Sequence, residues 1–387
     1  MRRIQIKLIN QIEKKRIAAV EHESGQAPRR FIFLRAALVC LGLTLLGLPA
    51  SGKTFRFDYQ RELEISSGAT LSVDNSVGVI TIRGREGSGR LTIEAVKTIK
   101  AVDEAAARRI AEYIELKLSS KSGQAKIETI LTDAGKQRRS FWDRLVGVDN
   151  DWFVSVDYII SAPRDIDILI ENNQGEITVS GFTGNLEVLA SSSSLVISDI
   201  SGEVLVDITS GEVSLSDLNG DVEITTTSAA ISVSSLTGDL TVHGGSGDLS
   251  ADYVAGNVTI VQTSGDVTLT ELQGDARLKT TSGVITVAQE QGALDVFTHT
   301  GKVVVNTELF SDLEYSIETL SGEISFSIPD NAGARIKLST LSGEIDTRGL
   351  PLEVESFSRR EISGVIGAGG VPVRLKTGSG DIRLAWY

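Results

Sequence analysis

The stretch Gly202-Glu203-Val204-Leu205-Val206-Asp207-Ile208-Thr209-Ser210-Gly211-Glu212-Val213-Ser214-Leu215-Ser216-Asp217-Leu218-Asn219-Gly220 decides the fold. It holds two nine-residue units, each opening on a glycine. The same register runs from Gly175 to Gly301, with a small residue at every ninth position; only Ser193 and Ala229 replace glycine. A tight corner asks for such a residue, because it needs positive φ or a close backbone approach. Counted from each corner as zero, positions +2 and +4 are apolar in every unit, as in Val222/Ile224, Leu240/Val242 and Val267/Leu269. Position +3, and often +5, is polar. This is the period of a strand with one buried face.

The units alternate, so the full period is 18. Before one kind of corner stands an apolar column, Phe182, Ile200, Leu218, Leu236, Val254 and Leu272. Before the other stands a threonine column, Thr209, Thr227, Thr263 and Thr281. Two strands per 18-residue coil predict an all-β, two-faced parallel β-solenoid. Residues 175–309 make seven and a half coils, a stack about 36 Å long at roughly 4.8 Å per strand.

The unit recurs outside this run. Asn75-Ser76-Val77-Gly78-Val79-Ile80-Thr81-Ile82 resembles Asn172-Asn173-Gln174-Gly175-Glu176-Ile177-Thr178-Val179. Corners at Gly322, Gly343 and Gly380 follow at spacings of 21 and then 37, which predicts coils with inserted loops, Gly364–Gly370 among them. The reading therefore divides the chain into four. Residues 1–52 are a basic stretch and an export signal, 53–163 an α+β cap, 164–310 the regular solenoid, and 311–387 irregular coils. In the cap, strands are predicted at Thr54–Phe57, Glu62–Ile65, Thr70–Val73, Val79–Ile82, Arg90–Val96, Ala125–Leu131 and Trp152–Ile160. One helix is predicted over about 102–118, from Val102, Ala106, Ile110, Ile114 and Leu118 at helical spacing. A loop with Lys136, Arg138, Arg139, Phe141, Trp142 and Arg144 is the one basic-aromatic cluster of the body.

The run Val156-Asp157-Tyr158-Ile159-Ile160-Ser161-Ala162-Pro163, then Asn172–Val179, then repeated Ser-Gly-Asp/Glu-Val units, resembles a bacterial adhesin-like β-solenoid family of unknown function. The resemblance covers roughly residues 60–387. It implies an architecture and no activity, since a fold does not fix a function.

The net charge is −13. Residues 1–52 hold nine Lys/Arg against three acids, a net of +6, which leaves −19 for the remainder. Such a body repels nucleic acid and anionic membrane. Arg29 and Arg30 precede an apolar run from Ala36 to Leu48 that exits through Pro49-Ala50-Ser51-Gly52. A basic flank, a short apolar run and small exit residues make a secretory signal, or a retained anchor over 31–48. Either places the body in the periplasm or at the cell surface, with membrane contact only through this segment. The one cysteine, Cys40, lies inside it, and Ala37-Leu38-Val39 is a poor lipoprotein cleavage site.

Two outer faces differ. After the threonine corners stand Ser214/Ser216, Ser232/Ser234, Ser250/Asp252 and Thr268/Thr270. After the apolar corners stand Glu187/Leu189, Glu223/Thr225, Arg277/Lys279 and Asp295/Phe297. One face is thus a hydroxyl lattice, and Ser214, Ser216, Ser232, Ser234, Ser250, Thr268 and Thr270 are its candidate binding residues. A surface glycan or an envelope protein is the partner this suggests. Position +1 is often acidic: Glu203, Asp221, Asp239 and Asp275 on one edge, Glu212, Asp248 and Asp266 on the other. Gly244-Gly245-Ser246-Gly247-Asp248 approaches a calcium β-roll motif with its Asp one place early. His243 and His299 form no pair, and no nucleophile elbow, phosphate loop or metal spacing appears. The sequence reads as a non-enzymatic envelope scaffold or adhesin-like surface without catalytic residues, cofactor or metal. A membrane-anchored sensory module and a calcium-binding roll are the alternatives.

Overall fold

The computed structural model describes residues 52–87, 89–121, 123–131 and 153–387. The signal segment and the basic-aromatic loop of residues 136–144 lie outside them. Among the described residues, no helix is long and apolar enough to cross a membrane.

The coil is 18 residues long. Val204 pairs with Val222 and Val213 with Ile231, in parallel. The same offset joins Leu240 to Val258 and Leu249 to Val267. Every +2 and +4 residue from Ile177 to Val305 is buried. The pairings form two ladders of half-coils, here called the charged sheet and the hydroxyl sheet after their outer faces. Early coils run through both as one bent strand, such as Val204–Asn219, while later ones split, as into Leu240–Ser246 and Leu249–Ala255.

Two unlike corners produce the period of 18. Leaving the hydroxyl sheet, the chain bends at a left-handed residue in successive coils, Gly181, Asp199, Asp217, Ser235, Tyr253 and Glu271. Aspartate tolerates that conformation better than most residues. The next residue, the apolar column from Phe182 to Leu272, then turns into the core. Leaving the charged sheet there is no such bend. Thr209, Thr227, Thr263 and Thr281 point to solvent, and the residue before each faces in: Ile208, Thr226, Gln262 and Thr280. The threonine column is therefore an outer one. The buried polar residues beside it are held locally, with Thr280 Oγ1 donating to Thr298 Oγ1 at 2.9 Å. Gln262 Nε2 donates to the carbonyls of Gly247 and Ser264 at 2.5 and 2.6 Å. Corner glycines are required by stacking: a Cβ on Gly220 (φ +145°) would sit 2.3 Å from the Gly202 carbonyl oxygen.

The cap differs from expectation in two places. The helix α1 spans only Glu104–Glu112, with Asp103 accepting from the Ala106 N–H at 2.7 Å. Ile114 and Leu118 instead belong to the strand Ile114–Lys121, antiparallel to Gln124–Leu131. Apolar residues four apart satisfy both periods, and Lys97 Nζ ends the helix by donating to the carbonyls of Ala111 and Ile114 at 3.1 and 2.5 Å. The two first predicted strands are one, Lys53–Glu64, antiparallel to Arg90–Ala101.

The C-terminal coils do not stack in chain order. Val373 pairs with Tyr315 on one side and Ile336 on the other. The last coil, Val371–Ser379 and Ile382–Trp386, is thus inserted ahead of Ala334–Ser342 and Ile345–Asp346. The Ser-Gly-acid-Ile corners are equivalent stacking partners, so spacing alone cannot order them. Burying the final coil between two others leaves the hairpin strands Leu352–Phe357 and Glu361–Ile366 to continue the charged sheet beyond Ala334–Ser342.

Candidate functional site

The candidate residues lie where the repeat puts them, in two columns on the outer side of the hydroxyl sheet. Ser214, Ser232, Ser250 and Thr268 are consecutive cross-strand partners. Ser216 and Ser234 stand in the second column, where Ser180 and Ser198 precede them and Asp252 lies between Ser234 and Thr270. Ser232 and Ser250 are exposed and the other five half-buried. Thr270 Oγ1 donates to Asp252 Oδ1 at 2.5 Å, which ties the one charge in the lattice to its neighbour.

The first column is longer than the candidate set. It continues through Thr286, Val304 and Ser325 in one direction. In the other it continues through Val196, Thr178, Thr81 and Ile159. Eleven strands therefore pass without a charge in this column. The pairing of Thr81 with Thr178 spans 97 residues of sequence, and the likeness of Asn75–Ile82 to Asn172–Val179 is its sequence signal. Val196 and Ile159 are apolar, so a pattern of Ser and Thr does not reach them.

The charged sheet presents a different surface. Asp74, Glu171 and Asp207 mark its outer side near the cap. Burial, and then the neighbouring Glu171, hold the Glu187 carboxyl above its ordinary pKa. Farther along, opposite charges pair across strands: Arg277 with Asp295 at 3.7 Å and Lys376 with Glu318 at 2.6 Å.

The acidic +1 columns have a structural task. Asp221 Oδ1 accepts the Asp239 N–H at 3.0 Å, and Asp239 Oδ1 accepts the Asn257 N–H at 2.8 Å. The ladder runs on through Asn257 and Asp275 to the Ala293 N–H. On the other edge Asp248 Oδ1 takes the Asp266 N–H at 2.9 Å, and Asp266 Oδ1 takes the Val284 N–H at 2.8 Å. Each short side chain satisfies a backbone donor one coil on, which explains why Asn and Asp both serve there. The sequence offers a calcium-binding roll for these acids; Asn185 and Asn257, standing in the same column, are the signal of the ladder instead. Among the described residues, no group of three or more His, Cys, Asp or Glu side chains is placed to hold a metal ion.

Burial drives the Tyr158 hydroxyl up to about 12, and it shares a 2.7 Å hydrogen bond with Thr129. This joins the Val154–Pro163 strand to the Gln124–Leu131 strand inside the cap. His243 lies in the charged sheet between Thr225 and Val261. His299 packs edge-on against Phe297, with centroids 5.2 Å apart.

Stacked 18-residue coils, glycine corners and two unlike outer faces define a two-faced parallel β-solenoid. The family model Toastrack DUF4097 matches residues 136–275 and 255–385, and the chain belongs to that family. The resemblance read from Val156–Pro163 and the Ser-Gly-acid units is thereby established. Several solved structures are similar. A "putative cell adhesion protein" from Clostridium sporogenes is 12% identical over 86% of this chain and 100% of its own, with a TM-score of 0.20. A "putative adhesin" from Bacteroides fragilis is 10% identical over 85% and 97%, at 0.29. A "putative lipid binding protein" from Parabacteroides distasonis is 12% identical over 85% and 96%, at 0.23. At these scores the three carry no argument about this chain. No curated protein matches it.

Proposed function

We propose that this protein is a non-catalytic, exported cell-envelope scaffold whose hydroxyl sheet is a contact surface for a neutral, hydroxyl-rich polymer such as a surface glycan. One observation carries this reading: the column from Ile159 to Ser325 crosses eleven strands without a charge, on a body of net −19. The fold does not demand it, because the equivalent column on the other sheet of the same coils carries Glu187, Glu223, Arg277 and Asp295. A lattice that repeats every strand, at about 4.8 Å, offers the same weak site many times. The ligand it suits is itself repetitive and gains by multivalency. The two columns contain no aromatic residue or Met, the types that anchor protein partners, so a glycan fits better than a protein. The basic and apolar segment of residues 29–52 supports export.

A glycan array probed with the wild-type chain and with the Ser232→Lys/Thr268→Lys variant tests the proposal. Binding to neutral polysaccharides by the wild type, and its loss in the variant, is the expected result. Equal binding by both, or binding by neither, rejects it.

A further inference from the structure

The two ends of the coil stack are finished differently. At the N-terminal end α1 lies against the strands Lys53–Glu64, Arg90–Ala101 and Ile114–Lys121. It buries Ala107 and Ile110 and turns an Arg108–Glu104 pair outward. At the C-terminal end the charged sheet stops at Leu352–Phe357. This strand pairs with Glu361–Ile366 and has no strand on its other side among the described residues. Leu352, Val354 and, past a bulge, Phe357 stand opposite Ile366, Gly364 and Ile362. Yet Val354 is 53% and Phe357 74% exposed. A terminal repeat ordinarily turns a polar face to water. Here apolar side chains border an open row of backbone donors and acceptors.

The other edge of the same sheet is Ile114–Lys121, which among the described residues pairs only with Gln124–Leu131. On one face this strand exposes Glu115, Lys117 and Lys121, a net positive charge. The C-terminal edge carries Glu353 and Glu355, with Glu355 also reaching Arg335 at 2.8 Å. Strand directions agree. Leu352–Phe357 runs with the coil strands and Ile114–Lys121 against them. Two copies stacked in the same orientation therefore bring these edges together antiparallel.

We propose that a second copy of this chain docks head to tail, its Ile114–Lys121 strand adding to Leu352–Phe357 and extending the charged sheet from one copy to the next. Paired glutamates, and the bulge beside them, reject a second C-terminal edge, whereas Lys117 and Lys121 answer them. Each contact leaves one edge unused at either end, so the assembly is an open row and not a closed dimer. A row would lengthen the hydroxyl lattice, but the inference does not depend on what that lattice binds.

Cross-linking tests it in the full chain with Cys40→Ser as background. One protein carries Glu355→Cys and another Lys117→Cys, and a short bismaleimide joins nearby thiols. The mixture is expected to give a mixed dimer that neither protein gives alone, and a chain with both substitutions a ladder of dimers, trimers and larger species. Self-linking of the Glu355→Cys protein, or no mixed dimer at the highest soluble concentration, overturns the proposal. Adding Val354→Lys to the doubly substituted chain should cut the ladder at least tenfold with the β spectrum unchanged; a ladder that persists in that folded protein also overturns it. The mixing experiment stands alone should Val354→Lys fail to fold.

Discussion

The charged sheet and the hydroxyl sheet are cut from the same coils, share one core and differ only in what they turn outward. Ile224 faces the core from one and Ile197 from the other, and neither is accessible to solvent. Outside, one carries cross-strand ion pairs such as Arg277–Asp295, while the other carries Ser, Thr, Val and Ala over most of its width. Exposed ion pairs contribute at most about 1 kcal/mol each, so stability does not explain the contrast. Folding constrains the inner columns and the corners; the outer columns are where one solenoid becomes different from another.

The largest expected effect tests whether the two sheets do share a core. Ile224→Ala and Ile197→Ala should each cost about 2–4 kcal/mol in denaturant unfolding. A cost confined to one of them would break the equivalence on which the comparison rests. A smaller effect concerns the edges. Asp239→Ala leaves the Asn257 N–H without its carboxylate acceptor and should cost about 1 kcal/mol, whereas Asp239→Asn, which keeps an oxygen there, should change stability by less than about 0.5 kcal/mol. Asp266→Ala and Asp266→Asn on the opposite edge should behave alike. If the asparagine variants lose as much as the alanine variants, charge and not the ladder is what those positions supply.

The smallest effect separates the outer faces by pH. Burial, and then Glu171, raise the Glu187 pKa. The folded state therefore holds this proton more tightly than the unfolded state does. Stability from this site is greatest below the unfolded value and falls as pH rises through the folded one. Glu187→Gln should then raise the melting temperature modestly at pH 7, by no more than about 0.5 kcal/mol equivalent for a half-buried group, and not at pH 4. The hydroxyl-sheet substitution Ser214→Ala should show no such pH dependence.

The solenoid was legible because every buried column is written at a fixed period, and Gly175 to Gly301 never leaves register. What escaped the sequence was anything the repeat leaves degenerate. The order of the C-terminal coils escaped because Gly322, Gly343 and Gly380 head interchangeable corners. The helix end escaped because Ile110, Ile114 and Leu118 suit either period until Lys97 and the Gln124–Leu131 strand choose between them. The inward-facing position next to Thr209 and Thr227 escaped because the left-handed bend at Asp199 and Asp217 shifts the register on one corner only. The candidate lattice was legible in its central strands and not at its ends, where Thr81 and Ile159 join it from outside the run.

The contrast between the faces is tested most directly by moving the same charges onto each. Ser232→Lys/Thr268→Lys alters the hydroxyl sheet and Thr241→Lys/Thr259→Lys the charged one, at outward positions that leave the core intact. Affinity for an immobilised neutral polysaccharide, measured on the wild type and both variants, should fall at least tenfold for the first, a loss of about 1.4 kcal/mol or more, and stay within about twofold for the second. Equal losses in both variants, or a loss confined to the charged sheet, would contradict the account.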